Sequence, residues 1–214
     1  MSRAWLPRRF STKFSALVAL AMAAPMLAAA QDPSSDPRAV QVLGANPHGR
    51  RCNAALNEGD SSDRALDYCR RALDYPRLTR EAELQLHVNL GVMQMRRGDF
   101  RAAIEQFDAA IALDGRHAEA HLNRGAALVQ LRDYGPAVAS LTEALSLGVT
   151  EPHKAYFNRG VARESLGDLR GAFEDYTTAL DIQPDWGPAN AELARFARGR
   201  REHLANRLGD AGSN

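Results

Sequence analysis

His117, Glu119 and His121 carry the side-chain types that hold a divalent metal, spaced H-x-E-x-H. The order differs from H-E-x-x-H, which puts two histidine ligands and a glutamate base on one helix face. His117 follows a turn signal, and His121 recurs as His87, 34 residues earlier. A histidine that returns with the chain's own period is expected to do so because packing repeats. No metal and no cofactor are therefore expected. Cys52 and Cys69, the only cysteines, lack the C-x-x-C spacing of a redox pair. The chain also has no G-x-S-x-G elbow, no glycine-rich phosphate loop and no paired carboxylates on one face. Catalysis is not expected.

Another set of residues recurs with a binding chemistry. Asn89, Asn123 and Asn158 each stand two residues before a glycine, Gly91, Gly125 or Gly160. A primary amide offers a donor and an acceptor together, so a row of them can bond the backbone of an extended peptide without reading its side chains. Three residues before each glycine is an apolar side chain, Val88, Leu122 or Phe157, suited to burying a partner's side chain. Two roles stay open for the asparagines: gripping a peptide, or bonding within the fold.

These residues are positioned by a repeated segment. Aligned on the glycine, the copies read HVNLGVMQMRRGDFRAAIEQFDAAIAL from His87, HLNRGAALVQLRDYGPAVASLTEALSL from His121 and YFNRGVARESLGDLRGAFEDYTTALDI from Tyr156. The glycines are 34 and 35 residues apart. Twelve residues after each comes Ala103, Ala137 or Ala172. At sixteen comes Phe107, Leu141 or Tyr176, and at nineteen Ala110, Ala144 or Ala179. Arg97-Gly98-Asp99, Arg132-Asp133 and Gly167-Asp168 split each copy, where glycine ends one helix and aspartate caps the next. Gly115, Gly148 and Pro184 separate the copies, and Pro136, Pro152 and Pro188 suit first helical turns. No alternating strand pattern occurs, so the chain is predicted all-α.

This period, with its small and large residues, resembles the tetratricopeptide repeat. The resemblance implies a right-handed α-solenoid of helix–turn–helix units at 84–117, 118–152 and 153–186. Some packing positions depart from the family pattern. The aromatic slot holds His87 and His121 before Tyr156 meets it, and the leucine before the glycine is Leu90, then Arg124 and Arg159. The slot three residues after the glycine holds Gln94, Leu128 and Arg163. Arg159 is expected to pair with Asp175.

The family binds peptides in a concave groove lined by the first helix of each unit. Carried over, the groove is Gln85, Val88, Asn89, Val92, Met95 and Arg96 in the first unit. The second adds Glu119, Leu122, Asn123, Ala126, Val129 and Gln130, and the third Lys154, Phe157, Asn158, Val161, Glu164 and Ser165. In some members a similar asparagine row grips peptide backbone. The family's dicarboxylate clamp maps onto Val88, Val92, Asn123, Lys154 and Asn158, of which only Asn123 and Lys154 match. An apolar or mixed peptide is expected instead of a terminal acidic motif.

A degenerate helical unit is expected at 48–83, with Gly59-Asp60 at its turn and Ala65, Cys69 and Ala72 on its second helix. Cys52 and Cys69 then fall at facing positions. An oxidising compartment favours a disulfide, closing a loop of about 18 residues and contributing on the order of 3 kcal/mol. The alternative is two thiols packed as small apolar groups. Residues 187–208 are expected to form a capping helix, with a short tail at 209–214. Leu193, Phe196, Ala197, His203 and Leu204 would share one face, and Arg195, Arg198, Arg200 and Arg201 would lie largely on the other.

Residues 1–30 read as a cleaved export signal. Arg3, Arg8, Arg9 and Lys13 precede an apolar run from Phe14 to Leu27, and Ala28-Ala29-Ala30 sets cleavage after Ala30. An uncleaved anchor is the alternative; after cleavage no membrane span is expected. A flexible leader at 31–47 follows. Removing the four basic residues of the signal from 27 leaves 23 against 26 acidic ones, so nucleic acid is excluded as a partner on charge. Lys154 is then the only lysine beside many arginines, a usage that suggests GC-rich bacterial coding and hence a periplasmic or secreted protein. The expected function is a non-enzymatic adaptor holding a peptide or helix of another protein in the groove. The alternatives are a self-assembling homo-oligomeric scaffold of the envelope and, more remotely, a metal-dependent or other enzyme.

Overall fold

The computed structural model describes residues 46–211, with side chains to residue 199. The expected signal, the leader up to residue 45, the last three residues and the side chains of Arg200, Arg201, His203 and Leu204 lie outside the described residues. Every regular element among those described is a helix. Four antiparallel pairs follow one another: α1 (Pro47–Asn57) with α2 (Asp63–Leu73), α3 (Arg80–Arg97) with α4 (Phe100–Leu113), α5 (Ala118–Gln130) with α6 (Tyr134–Ser146), and α7 (Pro152–Ser165) with α8 (Leu169–Ile182). A last helix, α9 (Gly187–Ala211), packs against α8. The chain is an all-α solenoid, and none of the described helices is long and apolar enough to cross a membrane.

Local chemistry fixes the helix starts. Asn46 caps α1, accepting from the His48 and Gly49 amides, and its own amide donates to Ala72 O at the end of α2. Helix α1 thus begins at Pro47, the last residue of the expected leader. Thr79 caps α3 one turn before the expected unit boundary at 84. Glu81 and Glu83 in that first turn favour the helix N-terminus, and the Arg80 guanidinium donates to Leu113 O.

Small residues set how closely the helices approach. Ala103, Ala137, Ala172, Ala110, Ala144 and Ala179 are all fully buried. A Cβ on Gly91 would lie 2.6 Å from the Phe107 ring, one on Gly125 2.5 Å from Leu141, and one on Gly160 2.8 Å from the Tyr176 ring. Each large side chain thus fills the space that its unit's glycine leaves. Burying one such side chain contributes roughly 2–3 kcal/mol.

The turns within units differ from expectation in two respects. Gly98 and Gly167 end α3 and α7 in left-handed backbone, but in the middle unit Arg132 takes that conformation at φ 61°. Of the three turn aspartates only Asp168 makes the capping bond, to the Gly171 amide; Asp99 and Asp133 do not.

In the first pair, Cys52 and Cys69 form a disulfide with Cα atoms 4.8 Å apart. Both are fully buried, and Cys69 Sγ lies 3.5 Å from Met93 Sδ on α3, so the next unit seals the bridge. Arg159 forks onto Asp175 as expected, at 3.0 and 2.8 Å, and Arg163 joins the same carboxylate at 2.9 Å. Two arginines around a buried carboxylate satisfy a charge that would be costly alone. Arg124 bonds Asp108 on the preceding unit and Ser140 on its own.

The cap departs from its expected facing. Helix α9 continues past Leu208 to Ala211, and Ala197 is exposed. Arg195, assigned to the outer face, turns inward and bonds both Glu164 and Glu192. Its guanidinium also lies 5.0 Å from the centroid of the Phe196 ring. Leu193 and Phe196 pack on the core as expected.

Candidate functional site

The proposed groove residues fall on α3, α5 and α7, the first helices of the three clear units. Val88, Leu122 and Phe157 are 7, 0 and 3% exposed, and Asn89, Asn123 and Asn158 are 0, 1 and 2% exposed. Val92, Met95, Ala126, Val129, Lys154 and Val161 are also buried, while Gln85 and Glu119 are half-buried.

The asparagine row is incompletely satisfied. Gln85 Nε2 donates to Asn89 Oδ1 at 2.9 Å, which leaves Asn89 Nδ2 buried without an acceptor. Asn123 Oδ1 and Asn158 Oδ1 are buried without a donor. A buried amide atom left unpaired costs about 1–3 kcal/mol. Three such atoms recur at matching positions on successive units.

Several neighbours have structural partners. Arg96 donates to Leu56 O at 2.7 Å, tying α3 to α1. Lys154 Nζ lies 2.6 Å from Glu151, and Glu119 accepts from the Thr150 amide. Glu164 accepts from Tyr176 Oη at 3.0 Å and from Arg195, so it holds the cap. Burial, then the Glu164 charge, pushes the Tyr176 phenol well above its ordinary range, which keeps it a donor. Ser165 bonds Val161 O within its own helix.

At the C-terminal end Phe157 packs against Trp186 and Tyr176, with ring centroids 4.9 and 5.6 Å away. Phe196 lies 6.0 Å from Tyr176 and 6.1 Å from Phe173. Sequence reasoning missed this aromatic cluster; its signal was Trp186, an aromatic residue just before the cap. Beside the cluster, Leu166, Leu169 and Phe173 are 58, 56 and 49% exposed. Leu169 and Phe173 line an open cleft of about 860 Å³ between α8 and α9.

The histidines of the H-x-E-x-H pattern have other work. His117 Nδ1 accepts from the Ala120 amide at 3.1 Å as the cap of α5, and His121 Nε2 lies 2.9 Å from Gly115 O. His87 Nδ1 pairs with Gln106 Oε1 at 2.9 Å. Among the described residues no group of three or more histidine, cysteine, aspartate or glutamate side chains is placed to hold a metal.

Comparison with known proteins agrees with this architecture. A family model described as tetratricopeptide repeat matches residues 88–148 and 127–185. RNA polymerase II-associated protein 3 of Xenopus tropicalis is 33% identical over 99 residues, 46% of this chain but 15% of that protein. Among solved structures, MamA of Desulfovibrio magneticus RS-1 superposes with a TM-score of 0.64 at 21% identity, covering 75% of this chain and 88% of that one. The second tetratricopeptide domain of human RPAP3, solved in complex with the HSP70 peptide SGPTIEEVD, superposes with a TM-score of 0.51 at 30% identity. That match covers 55% of this chain and 97% of the domain.

Proposed function

The chain belongs to the tetratricopeptide repeat family, and from that premise we propose that it is a non-enzymatic adaptor holding an extended peptide of another protein against α3, α5 and α7. The observation that carries this reading is the row of buried amide atoms without partners, Asn89 Nδ2, Asn123 Oδ1 and Asn158 Oδ1. Backbone N–H and C=O groups of a bound peptide complement them, and the buried apolar side chains of Val88, Leu122 and Phe157 lie beside the row. The RPAP3 domain supports peptide capture as the activity. The ligand differs in kind, because Val88 and Asn158 stand where a clamp for a terminal acidic motif needs basic side chains, and Val92 where it needs an asparagine. We place the work in a bacterial cell envelope. The basic and apolar residues of 1–30, ending Ala28-Ala29-Ala30, and the disulfide support that placement.

Asn123→Leu tests the groove. It removes a buried unpaired acceptor, so the fold tolerates it, while the grip on a peptide is lost. Affinity capture from envelope extracts, read by mass spectrometry, should lose partners in the variant at unchanged circular dichroism. An identical partner set from wild type and variant refutes the groove.

A self-assembling scaffold is the second reading, favoured by the exposed Leu166, Leu169 and Phe173. Light scattering separates the two. A monomer rejects the scaffold; a dimer that Phe173→Glu dissolves supports it.

A further inference from the structure

We propose that two copies of the chain pair antiparallel along α8, forming a closed two-fold dimer. This rests on reading Leu166, Leu169 and Phe173 as a self-association surface, and it fixes the partner, the register and the symmetry.

The repeat shows what the surface is built for. Nine and thirteen residues after the successive glycines stand Phe100 and Ile104, then Tyr134 and Val138, then Leu169 and Phe173. In the first two units these side chains are partly buried against the core. Each of those units has a further helix pair stacked on it, α4 packing on α5 and α6 on α7. In the last unit Leu169 and Phe173 are 56 and 49% exposed. Here α8 meets only α9, which is followed by no second helix among the described residues. The last unit thus keeps the apolar side chains of a unit that stacks on a helix pair, while a single helix is there to meet them. A helix from outside completes the layer.

The charges on α8 select a second copy as that helix. Arg170 and Glu174 share the exposed stripe, with side chains 91 and 58% exposed, and bond each other at 2.9 Å. They lie symmetrically about Ala172, two residues to either side. When two α8 helices run antiparallel about an axis there, each Arg170 faces the partner's Glu174. The same register seats Phe173 between the partner's Leu169 and the partner's Phe173, because residues four apart share one helix face. A two-fold interface requires such self-complementarity. The apolar contact drives association; the exposed ion pairs add little affinity but reject other registers. Since α8 is the second helix of its unit, pairing leaves α3, α5 and α7 free. The dimer therefore presents two peptide sites and gains avidity for a partner that carries two copies of the peptide.

Charge exchange tests the pairing, read by sedimentation velocity with circular dichroism to confirm folding. Arg170→Glu makes both positions acidic, and Glu174→Arg makes both basic. Wild type should be a dimer. Each variant alone should lose self-association by on the order of tenfold or more, through like charges brought face to face. An equimolar mixture of the two variants should regain the wild-type dimer, since opposite charges then meet at both contacts. A mixture that stays monomeric overturns the proposal, as do wild-type species larger than a dimer. A monomeric wild type overturns the self-association reading with it. An oligomer that Phe173→Glu dissolves and both charge variants keep leaves that reading standing and overturns the antiparallel pairing alone.

Discussion

Cys52 is bonded to Cys69 at the junction where, in the next unit, Gly91 receives the ring of Phe107. The cysteines are 17 residues apart in sequence, and the glycine and phenylalanine 16. In the later units a glycine and a large side chain lock the helix pair by packing. In the first unit two small residues meet there, and a covalent bond replaces the missing ring.

Reduction should therefore unlock the first unit before the others. The loop-entropy model gives a loss on the order of 3 kcal/mol, equivalent to about 6–12 °C in melting temperature for a domain of this size. Because solenoid units depend mainly on their neighbours, hydrogen exchange should rise first in α1 and α2. Melting curves with and without reductant, and of Cys52→Ala/Cys69→Ala, check this. Coincident curves would sink it.

Two glycine-to-alanine changes should act in opposite directions. On Gly160 a Cβ meets the Tyr176 ring at 2.8 Å and Ala172 O at 3.3 Å, and the carbonyl is backbone that moves poorly. Gly160→Ala should cost about 1–3 kcal/mol through overpacking. Gly135 lies in the first turn of α6 with nothing within 4 Å of its added Cβ. Gly135→Ala should stabilise by about 0.5–1 kcal/mol through the unfolded chain's lost freedom. Urea midpoints of the two variants give the signs directly.

The left-handed residue at the middle turn offers a third test. Arg132 adopts φ 61° where its counterparts are Gly98 and Gly167, and a side chain in that region costs about 1–2 kcal/mol. Glycine relieves the strain but gives the unfolded chain more freedom, so Arg132→Gly should gain about 0.5–1 kcal/mol net. Gly98→Ala should lose about 1 kcal/mol for the converse reason. Equal stabilities of Arg132→Gly and wild type would mean that the turn relaxes at no cost.

The helix pairs were legible because their spacing is written in small residues. Gly91, Gly125 and Gly160, with the alanines behind them, leave room for one contact each, and Phe107, Leu141 and Tyr176 make it. Arg159 with Asp175 was legible too, since a charge in a packing slot demands an opposite charge across the helix pair. Arg163 joining that carboxylate was not, and neither was Arg195 turning inward to Glu164. Long side chains choose among partners that folding brings near from distant sequence, and periodicity does not encode the choice. The depth of the asparagine row was hidden for the same reason: pattern assigns a residue to a helix face, and tertiary packing decides how much water reaches it.

The contact between the start of α7 and Trp186 should loosen in mild acid. His153 packs edge-on against Trp186, ring centroids 4.9 Å apart, and burial holds its imidazole below the ordinary value of 6.5 against a smaller opposite pull from Glu151. Above pH 6.5 the ring is neutral in both folded and unfolded chains, and its full contribution to stability is present. As pH falls through 6.5 the unfolded chain takes up a proton that the folded ring resists, so stability declines until the pH lies below the folded value. Denaturation midpoints at about pH 8 and pH 5.5 should therefore differ, and His153→Gln should narrow the difference. Trp186 also packs edge-on against Phe157, so its emission should shift over the same range in wild type and stay constant in the variant. An emission that shifts equally in both would assign the pH response to another group.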